Sequence, residues 1–435
     1  MKSWACPSAL LNSANLACHR DWTKLDFVTN ERLRLLYLCY AFPPGVTGRF
    51  PTLRTAAHAT ETRMAQALSR LAAISTVGLQ PRELWGRLEP KDDSFGLEHE
   101  LLLWEREPKL WHRWRLWHQL RRYYLEKVAH EGMPDVLLVW NLTTVFNHFV
   151  RWLRQRHPRP VIVLVLADSG GLGQRIPLSR RLRYAFKPMQ MLDDQAVFLY
   201  DACLSFGIAT RRHFEPRGVP WLWFPSAFNF TYDPPPEPVQ DGPIRFGYFG
   251  GLTEQAAALP MVRAFLEAGV PGTLHVCGFG PLSDALKQLA ERHPNFHFDG
   301  LLPNQSDCLA WAQRADVLIN PRLPLWGQEN SFPSKIFEFA MTGRAILSTR
   351  TGGVDQVLQD DGIYIETDNF EDSLRQKLQE VAAMDRAELR RRGTAIRNRV
   401  LKDFNWDAQA RRVVDFLTGI ANRTTTDSRP HARLS

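Results

Sequence analysis

None of the six cysteines (Cys6, Cys18, Cys39, Cys203, Cys277 and Cys308) belongs to a Cys-x-x-Cys pair. Their wide spacing excludes a disulfide framework and a cysteine zinc site, and fits buried thiols in a reducing compartment. The 13 histidines show no ligand spacing and no Asp-x-Asp occurs. Asp92-Asp93, Asp193-Asp194 and Asp360-Asp361 read as loop acids, so no metal site is expected. A Walker loop and a Gly-x-Ser-x-Gly elbow are also missing, which removes two common catalytic designs. No run of about 18 apolar residues is present, so a spanning helix is not expected. Residues 1–32 lack the long apolar stretch of a signal peptide and read as a poorly ordered leader.

What is present is the composition of a globular protein. Hydrophobic residues make up 44% and charged residues 23%, which confines expected disorder to the ends. A chain of 435 residues exceeds one ordinary core, so two domains are expected. Lys and Arg number 54 against 46 acids, and the net charge of +8 favours anionic partners. Phosphorylated ligands and anionic lipid both fit; nucleic acid is not expected, because no reader motif accompanies the charge.

Apolar runs alternate with helical periodicity from one end to the other. "LRLLYLCYAF" (33–42), "ISTVGLQ", "PDVLLVWN" (134–141), "PVIVLVLAD" (160–168), "DACLSFG" (201–207) and "PWLWFPSAF" read as strands of a first parallel sheet. The proline-rich stretch 232–243 breaks any regular element and reads as a linker. Strands are expected again at 244–251, 272–280, 295–300, 315–321, 344–350 and 362–366. Helices fall between them near 256–268, 282–292, 306–313, 334–342 and 371–382. "NWDAQARRVVDFLTGI" (405–420) is a last amphipathic helix, and 421–435 reads as a disordered tail. The predicted fold class is therefore α/β, with two doubly wound domains, 33–235 and 236–404, facing a cleft at the carboxyl ends of their strands.

Several stretches carry chemistry. "YFGGL" ends a strand at Gly250-Gly251, which is either a phosphate-approach loop or a tight turn without a ligand. "CGFGPLSD" holds Gly278-x-Gly280 but Ser283 where a dinucleotide fingerprint requires its third glycine, which argues against a dehydrogenase. The loop "PPGVTGRF" presents Gly45, Gly48 and Arg49 either to the cleft or to the surface. Asp168 closes a strand beside "SGGLGQR"; it either meets an acceptor hydroxyl or caps a turn. Residues 104–127 interleave Trp104, Trp111, Trp114, Trp117, Tyr123 and Tyr124 with arginines. That pattern suits an anionic membrane surface, or a helix whose aromatic face packs on the sheet.

In this order the pieces resemble the retaining glycosyltransferases of family four, which have the GT-B fold. The resemblance rests on "IRFGYFGGL", "LHVCGFGPLSDAL", "NFHFDGLLP", "WAQRADVLINPR" and "NSFPSKIFEFAMTGRAILSTRTGGVDQVL", with "LYLCYAFPPGVTG" and "DACLSFGIATRRHFEPRG" in the first half. It implies that the second domain binds a nucleotide-sugar donor and the first a glycan, lipid-linked or polysaccharide acceptor. It also implies that the terminal helix crosses back to the first domain. The family's Glu-x7-Glu motif places its second acid, which holds ribose hydroxyls, on Glu338. Its first position falls on Asn330, with Glu329 one residue away, and Pro333-Ser334-Lys335 matches a polysaccharide-type variant of the motif. Ser331, Phe332 and Ser334 can offer N–H groups near the helix start, and Lys335 a positive charge, to a departing diphosphate. Lys335 and Glu338 lie three apart, hence on one side of the helix. The resemblance implies a hexosyl transfer without metal or cofactor by a cytoplasmic protein peripheral to the inner face of the cell membrane. A weakened partner subunit that binds nucleotide sugar, or an epimerase of the same fold, are the alternatives.

Overall fold

The structure, a computed structural model, describes residues 32–40, 56–79, 98–102, 112–167, 194–228, 232–233, 242–324 and 331–426. The first sheet contains β1 (Arg34–Cys39), β2 (Ala73–Leu79), β3 (Glu98–Leu102), β4 (Val136–Trp140), β5 (Val161–Leu166), β6 (Ala202–Ser205) and β7 (Trp221–Trp223). They lie in the order β3-β2-β1-β4-β5-β6-β7, and every pairing is parallel. The second sheet contains β8 (Ile244–Gly251), β9 (Gly272–Phe279), β10 (Phe296–Gly300), β11 (Val317–Asn320), β12 (Ala345–Thr349) and β13 (Ile363–Ile365). Its order is β10-β9-β8-β11-β12-β13, again parallel. Strand order reverses between β1 and β4 and between β8 and β11. In open parallel sheets that reversal opens a crevice at the carboxyl ends of the strands.

Runs such as "VLLVW" and "VIVLVL" are buried at every position, because helices cover both faces of the sheet. Successive side chains then enter different cores. Leu36, Leu38, Leu137 and Val139 pack on one face with α2 (His112–Glu131) and α3 (Thr144–Arg154). Leu35, Tyr37, Val136 and Leu138 pack on the other with α1 (Ala56–Ser69). The remaining helices are α4 (Arg211–Phe214), α5 (Ala258–Ala268), α6 (Ser283–Ala290), α7 (Gln305–Ala312), α8 (Lys335–Met341), α9 (Val354–Leu358), α10 (Phe370–Ala382), α11 (Arg386–Asp403) and α12 (Trp406–Thr426).

Four differences from the sequence reading stand out. Strand β3 was not expected, and the apolar run at 220–228 yields only the three residues of β7. Helix α11 was missed: its buried residues Leu389, Gly393, Ile396 and Val400 are diluted by arginines. Gly393 lets that helix lie directly on the turn after α8, since a Cβ there would fall 2.0 Å from the Gly343 carbonyl oxygen. Helix α12 runs to Thr426, so residues 421–426 are helical rather than part of a disordered tail.

Helix α12 inserts Ala410, Val413, Leu417 and Ile420 into the core of the first sheet beside Leu35 and Tyr37. The two halves also meet at Trp223, whose ring lies 6.2 Å from Phe332 and 6.1 Å from Phe404. Gly353 closes against the same ring, and a Cβ there would stand 3.3 Å from it and 3.1 Å from Ile208.

Candidate functional site

The carboxyl end of β8 is built for close approach. Tyr248 donates its hydroxyl to the Gly251 carbonyl at 2.8 Å, and burial pushes its phenol well up, so it stays a donor. Gly250 has φ 156°, and a Cβ on it would lie 2.8 Å from both Lys335 Cε and Tyr248 Oη. The missing side chain is therefore the space that Lys335 occupies. Gly278 and Gly280 serve the neighbouring strand instead. A Cβ on Gly278 would sit 1.9 Å from the Gly250 carbonyl oxygen, and one on Gly280 2.3 Å from that of Leu252. Ser283 folds back on this turn, donating to the Gly280 carbonyl at 2.8 Å and accepting from its N–H at 3.1 Å.

Helix α8 opens the sequence "KIFEFAM", and its Ile336, Phe337, Phe339, Ala340 and Met341 are buried. Lys335 and Glu338 are its two charged residues. Lys335 Nζ lies 3.7 Å from Glu338 Oε2 and 5.0 Å from the centroid of the Phe249 ring, with 40% of its side chain exposed. Glu338, at 26%, also accepts a 3.0 Å bond from Gln305 Nε2 at the head of α7. A cation over an aromatic face can hold an anion, and a carboxylate pinned from two sides can accept from hydroxyl groups. Two thiols adjoin the pair. Burial pushes Cys277 up to about 12 and raises Cys308, so both are inert at neutral pH.

The turn before α8 is braced from behind. Ser331 Oγ accepts from Arg322 Nη2 at 2.7 Å, and Phe332 is buried against Trp223 and Phe337. Ser334 is exposed and makes no side-chain cap. Thr349 and Thr351 both donate to the Arg322 carbonyl, and Asn320 donates to Ser348 at 2.8 Å, joining the ends of β11 and β12. Gly352 presses on this turn, because a Cβ there would lie 2.3 Å from the Ser331 carbonyl oxygen. Sequence reasoning missed Gln305, Arg322 and Gly352; the glycine pair "TGG" and the arginine closing "LINPR" were the available signals.

The structure thus brings together Gly250, Gly251, Ser331, Phe332, Ser334, Lys335 and Glu338, with Gly278 one strand behind. Asp168, Glu329, Asn330, Gly45, Gly48 and Arg49 lie outside the described residues. Among the described residues, no group of three His, Cys, Asp or Glu side chains could hold a metal ion.

Residues 244–383, the stretch that carries this site, match the glycosyl transferases group 1 family. Solved structures resemble about nine-tenths of the chain. The lipopolysaccharide outer core galactosyltransferase WaaB aligns with a TM-score of 0.61 at 11% identity, over 89% of this chain and 99% of its own. The catalytic domain of starch synthase IV from Arabidopsis thaliana, bound to ADP and acarbose, aligns at 0.58 and 10% identity, over 90% and 100%. The fold is GT-B. A third GT-B neighbour is Anabaena HepE in complex with UDP and glucose, at 0.56 and 11% identity, over 89% and 100%. At such identities the likeness concerns fold alone, and no curated protein sequence matches the chain.

In the first GT-B domain the tryptophan-rich helix divides its residues. Within α2, Leu116, Leu120 and Tyr124 are buried, and Tyr124 stacks edge-on against Phe149 and Trp152. Arg121 lies over Trp117 at 4.7 Å and over Trp152 at 4.6 Å. Trp114 remains 55% exposed and Leu125 46%. Trp104 and Trp111 are outside the described residues. No helix among the described residues is long and apolar enough to cross a membrane.

Proposed function

We propose that the protein is a retaining glycosyltransferase that moves a hexosyl group from a nucleoside-diphosphate sugar to a glycan, lipid-linked or polysaccharide acceptor. The observation that carries this reading is the Lys335–Glu338 pair at the carboxyl edge of the second sheet, beside Gly250, within the family match. Breaking the anomeric C–O bond puts charge on the departing diphosphate. The Lys335 ammonium and the N–H groups of Ser331, Phe332 and Ser334 oppose that charge without a resident metal. Glu338 takes the ribose hydroxyls, held in place by Gln305. The acceptor hydroxyl attacks from the face that the phosphate leaves, and the phosphate takes its proton, so the anomeric configuration is kept. On the sequence alone, Asp168 is assigned to orienting the acceptor, and Gly45, Gly48 and Arg49 to contacting it.

Turnover measured across a panel of nucleotide sugars with lipid-linked and glycan acceptors tests this. Activity that falls at least roughly a hundredfold in Lys335→Ala and in Glu338→Ala is expected, the loss of an electrostatic transition-state contact. Turnover unchanged in both variants would overturn the assignment. Tight nucleotide binding with no turnover on any acceptor would favour the second reading, a binding subunit, for which Asn330 in place of the motif's first glutamate speaks. The exposed Trp114 and Leu125 fit peripheral contact with the anionic inner face of the cytoplasmic membrane. Flotation with anionic liposomes that does not change when Trp111, Trp114 and Trp117 are replaced by serine excludes that helix.

A further inference from the structure

The turn 331–334 before α8 is not shaped by the second domain alone. Its Phe332 is 7% exposed and packs edge-on against Trp223 of β7, with 6.2 Å between ring centroids and 69° between planes. An edge-to-face pair at that separation orients both rings. Phe332 also lies 5.1 Å from Phe337 on the buried side of α8. An indole of the first domain therefore rests on the middle of the turn that leads into Lys335.

A pair of glycines repeats this contact beside it. The turn Thr351–Gly353 follows β12, and Gly352 (φ 76°) and Gly353 (φ 95°) are both left-handed. A Cβ on Gly352 would lie 2.3 Å from the Ser331 carbonyl oxygen, 3.1 Å from Pro333 Cδ and 3.2 Å from Phe332 Cα. One on Gly353 would meet Ile208 and Trp223 of the first domain instead. Two successive residues thus touch the turn and the first domain, with no side chain between. The first-domain side of the joint is pinned. Trp223 Nε1 donates to the Phe206 carbonyl at 3.0 Å, and Arg412 Nη2 to the Trp223 carbonyl at 3.2 Å. Thr210, two residues after Ile208, donates to the Gly207 carbonyl at 2.8 Å and accepts from Trp221 Nε1 at 3.0 Å.

We propose that Trp223 is a positioning residue for the donor site. Docked on Phe332, it holds the N–H groups of Ser331, Phe332 and Ser334 where the diphosphate binds, with the Gly352-Gly353 turn as a second support. This inference rests on the donor reading of the turn given above. Trp223 acts through Phe332 rather than on the donor itself. Close-packed groups pass a displacement on instead of absorbing it, so a shift of the first domain shifts the turn. Affinity for the diphosphate then depends on contact between the domains. By linkage, a bound diphosphate tightens that contact by the same factor.

Calorimetric titration of the full chain with UDP, ADP, GDP and dTDP, together with amide hydrogen exchange without nucleotide, tests the assignment. Trp223→Ala is expected to bind the preferred diphosphate roughly tenfold more weakly and to exchange faster over residues 331–338. Trp223→Phe keeps a ring against Phe332 and is expected to recover most of the affinity. Trp223→Ala and Phe332→Leu combined are expected to lose no more affinity than the worse of the two alone, since both break one contact. Leu417→Ala loosens the core of the first domain away from the turn, and its affinity is expected to match wild type. Ile208→Ala, a smaller cut at the same joint, decides the matter if Trp223→Ala does not fold, with a smaller loss in the same direction. Wild-type affinity in the deciding variant, unchanged exchange over 331–338, or an equal loss in Leu417→Ala would overturn the inference and leave the transferase reading standing. Failure of wild type to bind any of the four diphosphates would refute that reading, and the inference with it.

Discussion

Gly250 and Gly278 lie side by side on neighbouring strands, yet substitution at each meets a different obstacle. At Gly250 the added methyl would meet the flexible end of Lys335, which can swing away, and the Tyr248 hydroxyl, at a φ that L side chains rarely adopt. Gly250→Ala is expected to cost about 2 kcal/mol, the strain of that backbone conformation, and to bind nucleotide sugar roughly tenfold more weakly, because the displaced cation is a charged contact. At Gly278 the methyl would meet a backbone carbonyl that cannot move without parting β8 from β9. Gly278→Ala is expected to cost about 3 kcal/mol in urea denaturation, the upper end of single substitutions. Lys335 and Glu338 were legible in the sequence because charge three apart on an apolar helix has no packing role. Gln305 and Arg322 were not, since a lone polar residue on another element carries no pattern until the fold joins them. Glu61 shows the same limit. It is buried on α1 and accepts the Tyr40 backbone N–H, and burial holds its carboxyl well above the usual range despite that bond. The folded state binds this proton more tightly than the unfolded chain does. Its stabilisation is complete below the ordinary carboxyl range near pH ~4.3 and is lost as pH rises through the folded value. Glu61→Gln should therefore melt progressively higher than wild type from pH 5 to pH 8; a constant difference between the two curves would refute this.

At the scale of elements, legibility followed apolar runs. All six strands of the second sheet were visible because each is a short hydrophobic run between breakers. Strand β3, "EHELL", hides behind two glutamates, and α11 hides its buried residues behind arginines. The joints between elements were invisible for a different reason: they are made by charges far apart in sequence. Asp201, before β6, resists burial yet is held below the usual carboxylate range by Arg159, the Ile162 N–H and Arg154. Arg159 reaches it at 2.6 Å and Arg154 at 3.0 Å. Asp201→Asn keeps the shape but leaves two partly buried arginines without their carboxylate. We expect a loss of about 2 kcal/mol at pH 7, shrinking as pH falls through the folded Asp201 value, where the wild type loses the same charge. Chemical denaturation at pH 7 and at pH 3 measures both.

At the scale of the molecule, a late segment completes an early core. Leu417 is fully buried between α1 and the first sheet, and Asp407 at the head of α12 pairs with Arg70 at 2.6 Å. Truncating the leucine removes apolar contacts from the first domain although the residue follows the second in sequence. Leu417→Ala is expected to cost about 3 kcal/mol. Hydrogen exchange should report the loss in β1, β4 and β5 rather than in β8–β13. This placement has a consequence for synthesis. The amino-terminal sheet emerges from the ribosome several hundred residues before the helix that seals one of its faces. Until then Val163 on β5 lacks the cover that α12 gives it, so the first half to be made is the last to be finished.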